Sequence, residues 1–317
     1  MKRLLPLLLV CAVLLPLCAL GETAPAFADE GVRSAVCLQL GFDASGLTAA
    51  ALSSLTELTI DGSKTRVRSL TDLSLLPNLQ KLTLLECGAT DLSPLAEITS
   101  LTDFLAMSAD YIDYTPVLSL PRLERFVARG PVWDALDLSP LAGRDTLKTF
   151  FFPGEIADLA PLFSHKGLER LELSNVTPEE FRRLAQELPS LVYLSVSGEQ
   201  LESADLAALA GLPLERLSLA NARKLRDPAP LAALKNLTAL ALYNCGVEDV
   251  SALSEMTSLQ TLDLRENPVT DLSPLAALGL EKLEISADDR YTETSLAALL
   301  PGTKIVVSSR TILLANP

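Results

Sequence analysis

The chain is organised around the stretch LQTLDLRENPVTDLSPLAALGLEKL, residues Leu259–Leu283. Its first half carries apolar residues three and five positions after Leu259, then Asn267 eight positions after it. Its second half is apolar again, and the opening pattern restarts at Leu280. This spacing predicts a short strand with buried leucines, a turn, and a return leg that carries apolar residues back beneath the next strand. One such unit cannot bury its own apolar face, whereas a stack of units can.

The same spacing recurs along most of the chain. Eleven units begin at Leu55, Leu79, Leu101, Leu123, Leu147, Leu168, Leu191, Leu214, Leu237, Leu259 and Leu280. The residue three positions after each of these leucines is also apolar. The pattern matches L-x-x-L-x-L-x-x-N/C-x-L, which is typical of leucine-rich repeats. It predicts an α/β solenoid with a parallel sheet and short helical or 3₁₀ return legs, over residues 55–300.

The return legs share the motif DLSPLA, which begins at Asp91, Asp137 and Asp271. This motif resembles the bacterial internalin family. The resemblance covers roughly residues 55–300 and implies a curved, right-handed solenoid whose concave sheet binds a protein. One leg, Thr177–Leu188, instead predicts a true α-helix, because Thr177 followed by Glu180 forms a capping box.

The first 28 residues resemble a secretory signal peptide. Lys2 and Arg3 precede the apolar run Leu4–Leu20, and the preferred cleavage site follows Ala28, with Gly21 as the second choice. A membrane anchor and a lipoprotein modified at Cys18 are the alternatives. We therefore expect a secreted or cell-surface protein, without membrane insertion of the mature chain.

The two ends of the mature chain predict caps, since terminal repeats must cover an otherwise open core. In the N-terminal cap, residues 29–54, we expect a strand over Ser34–Leu40. A short helix through residues 49–52 should follow it, capped by Asp43 or Ser45. In the C-terminal cap, residues 301–317, a β-rich run begins at Lys304.

The charge balance restricts the class of partner. The net charge is −14, and removing residues 1–28 would make the chain more acidic by one unit. This disfavours nucleic acid and anionic membranes as partners. The oligomeric state does not follow from the sequence.

Few residues could support catalysis or bind a metal. His165 is the only histidine, and we expect it to be exposed on a polar loop. We therefore predict neither an enzyme nor a cofactor, and a hydrolase remains a weak alternative. Cys87 and Cys245 hold equivalent positions seven units apart, on the order of 34 Å, too far for a disulfide. We expect both to be buried thiols.

The concave face is where we predict binding. Residues two, four and six positions after each unit's first leucine should point to solvent, because side chains alternate along a strand. A patch of apolar residues with an arginine border then stands out, and we call it the concave patch. It consists of Leu85, Leu105, Met107, Val127 and Phe151 with Arg125, Arg129 and Arg170.

An apolar centre with arginine at its rim is the composition of a protein-binding hot spot. We therefore expect a protein or peptide partner. Three alternatives remain. The chain could be an envelope spacer without a ligand, Phe151 could be buried, or the loop carrying Tyr111, Tyr114 and Trp133 could cover the patch.

Overall fold

The structure is a computed structural model. It describes residues 25–107, 113–130, 135–287, 296, 299–307 and 310–313. The predicted signal segment lies outside the described residues, apart from its last four positions. Tyr111 and Trp133 lie outside them too.

The described residues form one thirteen-stranded sheet in which the strands follow chain order. Strands β1 to β12 are parallel, and β13 pairs with β12 in the antiparallel sense. The strands are β1 Glu57–Asp61, β2 Lys81–Leu85, β3 Asp103–Met107, β4 Arg125–Arg129, β5 Thr149–Phe152, β6 Arg170–Leu173, β7 Tyr193–Ser197, β8 Arg216–Ala220, β9 Ala239–Tyr243, β10 Thr261–Asp263, β11 Lys282–Ile285, β12 Lys304–Val307 and β13 Arg310–Leu313. The predicted parallel solenoid is confirmed.

The predicted alternation along the strands is confirmed as well. Every residue three positions after a unit's first leucine is at most 2% exposed. Three of these are phenylalanines, and they stack in consecutive strands. The ring centroids of Phe104 and Phe126 are 5.8 Å apart, and those of Phe126 and Phe150 are 5.3 Å apart. The core therefore lies between the sheet and the return legs.

The return legs are mostly 3₁₀ turns, as the DLSPLA motif predicts. The carboxylate of Asp91 accepts the amide of Ser93 at 2.8 Å, and Asp271 does the same for Ser273. The next residue is usually proline, which suits the first position of a helical turn. The 3₁₀ segments in the repeats are Thr71–Leu75, Ser93–Glu97, Ser139–Leu141, Ala160–Ser164, Ser203–Gly211, Ala229–Ala233, Ser251–Glu255 and Ser273–Ala277.

Four α-helices complete the described architecture: α1 Glu30–Leu40, α2 Ala49–Ser54, α3 Thr115–Leu118 and α4 Pro178–Glu187. The capping box of α4 is confirmed. The hydroxyl of Thr177 accepts the amide of Glu180, and the Glu180 carboxylate accepts the amide of Thr177 at 2.9 Å. None of the helices among the described residues combines the length and apolarity needed to cross a bilayer.

The strand predicted over Ser34–Leu40 is wrong, because this segment belongs to α1. The Asp29 carboxylate accepts the amides of Gly31 and Val32 and starts the helix. Gly41, with φ of +71°, ends it. Val32 and Val36, about one helical turn apart, lie on the buried face of this helix.

The predicted cap of the next helix is also wrong. Thr48 caps α2, and its hydroxyl accepts the amide of Ala51. Asp43 instead caps a separate 3₁₀ turn, Ala44–Gly46, and its carboxylate accepts the amide of Ser45.

His165 is fully buried, so its predicted exposure is wrong. It ends the return leg DLAPLFSH, at the position that Ile98, Leu234, Met256 and Leu278 hold in other legs. That position faces the core in each of these repeats. Cys87 and Cys245 are buried, as expected, with 4% and 0% exposure.

Candidate functional site

The strand register brings the apolar residues of the concave patch together. Leu105 lies opposite Val127, and Val127 lies opposite Phe151. Leu85 lies opposite Met107. Because these pairs occupy four adjacent strands ~4.8 Å apart, they form a strip on the order of 15 Å wide.

Exposure within the strip is uneven. Met107 is 41% exposed, and Leu85, Leu105 and Phe151 are half-buried. Val127 is only 4% exposed, so its expected exposure to solvent is wrong. The larger Leu105 and Phe151 flank it at the same position of the neighbouring strands. Val127 therefore packs between the other residues of the strip and offers little surface to a partner.

Of the two arrangements that would remove the patch, burial of Phe151 does not occur, and coverage by the loop is decided only for Tyr114, because Tyr111 and Trp133 lie outside the described residues. Phe151 keeps part of its surface exposed, although Phe150 and Phe152 on either side are fully buried. Tyr114 does not cover the patch, because its ring packs in the core against Phe126, with centroids 5.4 Å apart. Burial raises the pKa of Tyr114 to about 12.

The arginines of the border surround an aromatic pair. The guanidinium carbon of Arg129 lies 5.7 Å from the ring centroid of Phe151, and that of Arg170 lies 5.8 Å from it. The ring of Tyr193 lies beside that of Phe151, tilted by 35° with centroids 5.4 Å apart, and the guanidinium carbon of Arg170 lies 4.6 Å from the Tyr193 ring centroid. Such cation–π contacts hold side chains in place at a surface.

Tyr193 was missed by the sequence reasoning, which selected residues for their apolar character. The sequence does contain a signal for Tyr193. Arg170 and Tyr193 occupy the same position in consecutive repeats, two residues after the first leucine of each repeat. Both residues point to the concave side.

The charges of the concave face are largely compensated. Arg129 pairs with Glu172 at 2.6 Å, and Lys81 pairs with Glu57 at 2.6 Å. Near the other end, Arg265 contacts two carboxylates and Lys282 contacts one. Three concave arginines form no ion pair among the described residues: Arg125, Arg170 and Arg216.

A second depression lies on the same face towards the C-terminus, with a volume of about 310 Å³. Its floor is made of small residues such as Ser218, Ala239 and Ala241. Arg216 and the ion-paired Arg265 also line it. Large hydrophobic side chains are therefore concentrated in the N-terminal half of the sheet, with Tyr243 of β9, 39% exposed, as an exception.

The described residues contain no group of three His, Cys, Asp or Glu side chains close enough to hold a metal ion. His165 Nδ1 accepts the Leu147 amide at 3.2 Å, while Nε2 has no hydrogen-bond partner in the described structure. Burial lowers the pKa of His165.

Comparisons with known proteins agree with this architecture. A family model for leucine-rich repeats, in two copies, matches residues 235–277. No curated protein is similar to the chain in sequence. The crystal structure of an internalin from Listeria monocytogenes, InlF, is 25% identical with a TM-score of 0.52. That match covers 89% of this chain and 75% of the internalin.

The structure of TLR13 in complex with single-stranded RNA is 19% identical, with a TM-score of 0.52 over 81% of this chain and 46% of TLR13. It shares the fold. The repeats, the sheet and these matches together define a leucine-rich repeat solenoid. Within that class, the chain is an internalin-like leucine-rich repeat protein.

Proposed function

We propose that the chain is an exported protein-interaction module, which binds a protein or peptide through the concave patch. The observation that carries this proposal is the cluster of Phe151 and Tyr193 between Arg129 and Arg170, next to the exposed Met107. Aromatic and arginine side chains on a preformed surface are the residues that dominate binding energy in protein interfaces.

A spacer without a ligand would show uniformly polar concave columns. The concave face instead concentrates large apolar residues in β2 to β5. At the position of Leu105 and Phe151, β8 and β9 carry Ser218 and Ala241, and only Tyr243 in β9 presents a large hydrophobic side chain, at the position of Met107. Exposed apolar side chains gathered in one place favour a binding site over a spacer.

The hydrolase alternative depends on His165, since it is the only histidine. A general base must come within hydrogen-bond reach of the proton that it abstracts. His165 is fully buried and its Nδ1 already accepts the Leu147 amide. This arrangement supports a structural role for the residue and a non-enzymatic function for the chain.

The internalin match supports a bacterial protein exported to interact with other proteins. The RNA ligand of TLR13 is not carried over to this chain, because a net charge of −14 repels a polyanion.

A capture experiment tests the proposal. The chain without residues 1–28 serves as bait for proteins from the surroundings of the producing cell, and the captured partner is then measured against variants. Phe151→Ala and Met107→Ser should each weaken capture severalfold, because they remove partly exposed apolar contacts. Thr59→Ala is the matched control, because Thr59 lies in β1 and is exposed on the same face. Unfolding in urea verifies that all variants are folded, and equal capture by all of them would refute the site.

A further inference from the structure

The three concave arginines without an ion pair stand in one row. Arg125 lies opposite Thr149, Thr149 opposite Arg170, Arg170 opposite Tyr193, and Tyr193 opposite Arg216. The arginines therefore occupy the same position on alternate strands, β4, β6 and β8. Arg170 and Arg216 are exposed, and Arg125 is half-buried.

The other four concave cations are each compensated by a carboxylate of the same face. Asp103 lies opposite Arg125 in the register without forming an ion pair with it, and its carboxylate accepts a hydrogen bond from the Thr102 hydroxyl at 2.8 Å. The row is thus a local excess of positive charge on a chain whose net charge is −14. An excess of one sign in a concave surface selects a partner of the opposite sign.

The spacing of the row matches the period of a polyproline II segment. Strands lie ~4.8 Å apart, so arginines on alternate strands are about 10 Å apart. A polyproline II segment rises ~3.1 Å per residue with three residues per turn, and every third side chain returns to the same face after about 9 Å. An extended β-strand does not match this spacing, since side chains three residues apart point to opposite faces of the strand.

The surroundings of the row suit a proline-rich chain. Phe151 and Tyr193 lie beside Arg170, with ring faces that contact it. Grooves lined with aromatic side chains are the usual receptors for polyproline II segments. Leu105 and Met107 continue this apolar surface next to Arg125. An anionic polysaccharide would satisfy the arginines but would leave these apolar side chains without partners.

We propose that the concave face binds a polyproline II segment that carries an acidic side chain at every third residue. Its carboxylates contact Arg125, Arg170 and Arg216, and its proline rings contact Phe151 and Tyr193. The segment crosses the strands of the sheet. This inference rests on the proposed function, and it adds the chemistry and the period of the partner.

Synthetic peptides test the period directly. The probe is (Glu-Pro-Pro)₄, and a peptide of equal composition with its four glutamates at one end is the matched control. In a titration followed by NMR at low salt, (Glu-Pro-Pro)₄ should bind at least about threefold more tightly than the control. Its affinity should fall as salt is raised. Equal affinities would overturn the proposal.

Protein variants test the row. Arg170→Gln and Arg216→Gln should each weaken (Glu-Pro-Pro)₄ binding about twofold to fivefold. Arg122→Gln, an exposed arginine just outside the sheet, should leave it unchanged. Unchanged affinity in Arg216→Gln, or tighter binding of dextran sulfate that Phe151→Ala does not affect, would overturn the inference. If (Glu-Pro-Pro)₄ fails while protein capture remains sensitive to Phe151→Ala, the proposed function stands and only this inference fails.

Discussion

The Nδ1 atom of His165 accepts a hydrogen bond from the backbone amide of Leu147, the first leucine of the same repeat, at 3.2 Å. In other repeats the equivalent amide donates to the carbonyl three residues earlier, as Leu101 does to Ile98 at 3.0 Å. A buried amide without an acceptor costs about 1–3 kcal/mol. His165 thus provides an acceptor that this repeat lacks.

The change of acceptor for the Leu147 amide has a local cause. Gly143 adopts a φ of +73°, and Arg144 after it directs its guanidinium to the carbonyls of Leu118 and Leu120. Arg144 holds the position that Ile98, Leu234, Met256 and Leu278 hold in other return legs. The side chain of His165 in the next leg is fully buried.

The first prediction is a loss of stability at mildly acidic pH. Burial lowers the pKa of His165, Arg144 lowers it further, and the Leu141 carbonyl and Asp145 partly oppose this shift. Because the folded-state pKa lies below the unfolded value of about 6.5, the unfolded chain binds more protons as the pH falls below it. The free energy of unfolding should then fall by at most about 1.4 kcal/mol per pH unit, until the folded-state pKa is passed.

Urea unfolding between pH 8 and pH 5 measures this effect, with His165→Leu as the control. Leucine matches the residue type of the equivalent legs but cannot titrate. The stability of the wild type relative to His165→Leu should fall with decreasing pH. A constant difference between the two proteins would show that His165 is not the titrating group.

The second prediction separates the two faces of a strand. Leu240 is 2% exposed, whereas its neighbour Ala241 is half-buried on the concave side. Leu240→Ala should lower the free energy of unfolding by about 2–5 kcal/mol, because it removes buried methyl groups and leaves a cavity. Ala241→Ser should change it by no more than about 0.5 kcal/mol. Similar urea midpoints for the two variants would contradict the assigned face.

The third prediction concerns Asn267. Its side-chain oxygen accepts the amides of Cys245 and Val247, each at 3.0 Å, and its nitrogen donates to backbone carbonyls that include Leu264. Asn267→Ala should cost about 2–4 kcal/mol, because several backbone groups lose their partner. Asn78→Ala removes a single exposed bond to Ser53, so it should cost about 1 kcal/mol or less. Equal costs in chemical unfolding would argue against this role.

The repeat pattern predicts the sheet because each strand has the same neighbours and the same apolar spacing. Leu58, Leu171 and Leu283 are therefore buried for one shared reason. The N-terminal region lacks that repetition. There Asp29 and Gly41 set the limits of a helix, and these two local signals outweigh the apolar content that favoured a strand.

The candidate site is less predictable, because side-chain packing between strands sets its exposure. Val127 is buried by its neighbours, although its position points outward. Which arginines stay uncompensated depends on contacts between distant residues, such as Arg129 with Glu172. The burial of His165 is predictable from the sequence, since aligning the return legs places it in a mostly apolar column.

The final prediction concerns the N-terminus. The Asp29 carboxylate accepts the amides of Arg68 at 2.8 Å and Ser69 at 3.1 Å, which ties the start of α1 to the first repeat. The backbone nitrogen of Asp29 donates to a carboxylate oxygen of Asp72 at 2.6 Å. Both aspartates are buried.

Cleavage after Ala28 would make the Asp29 nitrogen an ammonium group next to the Asp72 carboxylate, and the hydrogen bond would become a buried ion pair. The preferred cleavage site predicts that N-terminal sequencing of the mature chain begins at Asp29. In that protein, Asp72→Asn should lower the free energy of unfolding by roughly 2–3 kcal/mol, because it leaves a buried ammonium group without its counter-charge. Phe27, which packs against the core, would be lost on cleavage after Ala28 and kept on cleavage after Gly21. A mature sequence beginning at Glu22 would thus contradict the prediction and give Phe27 a structural role.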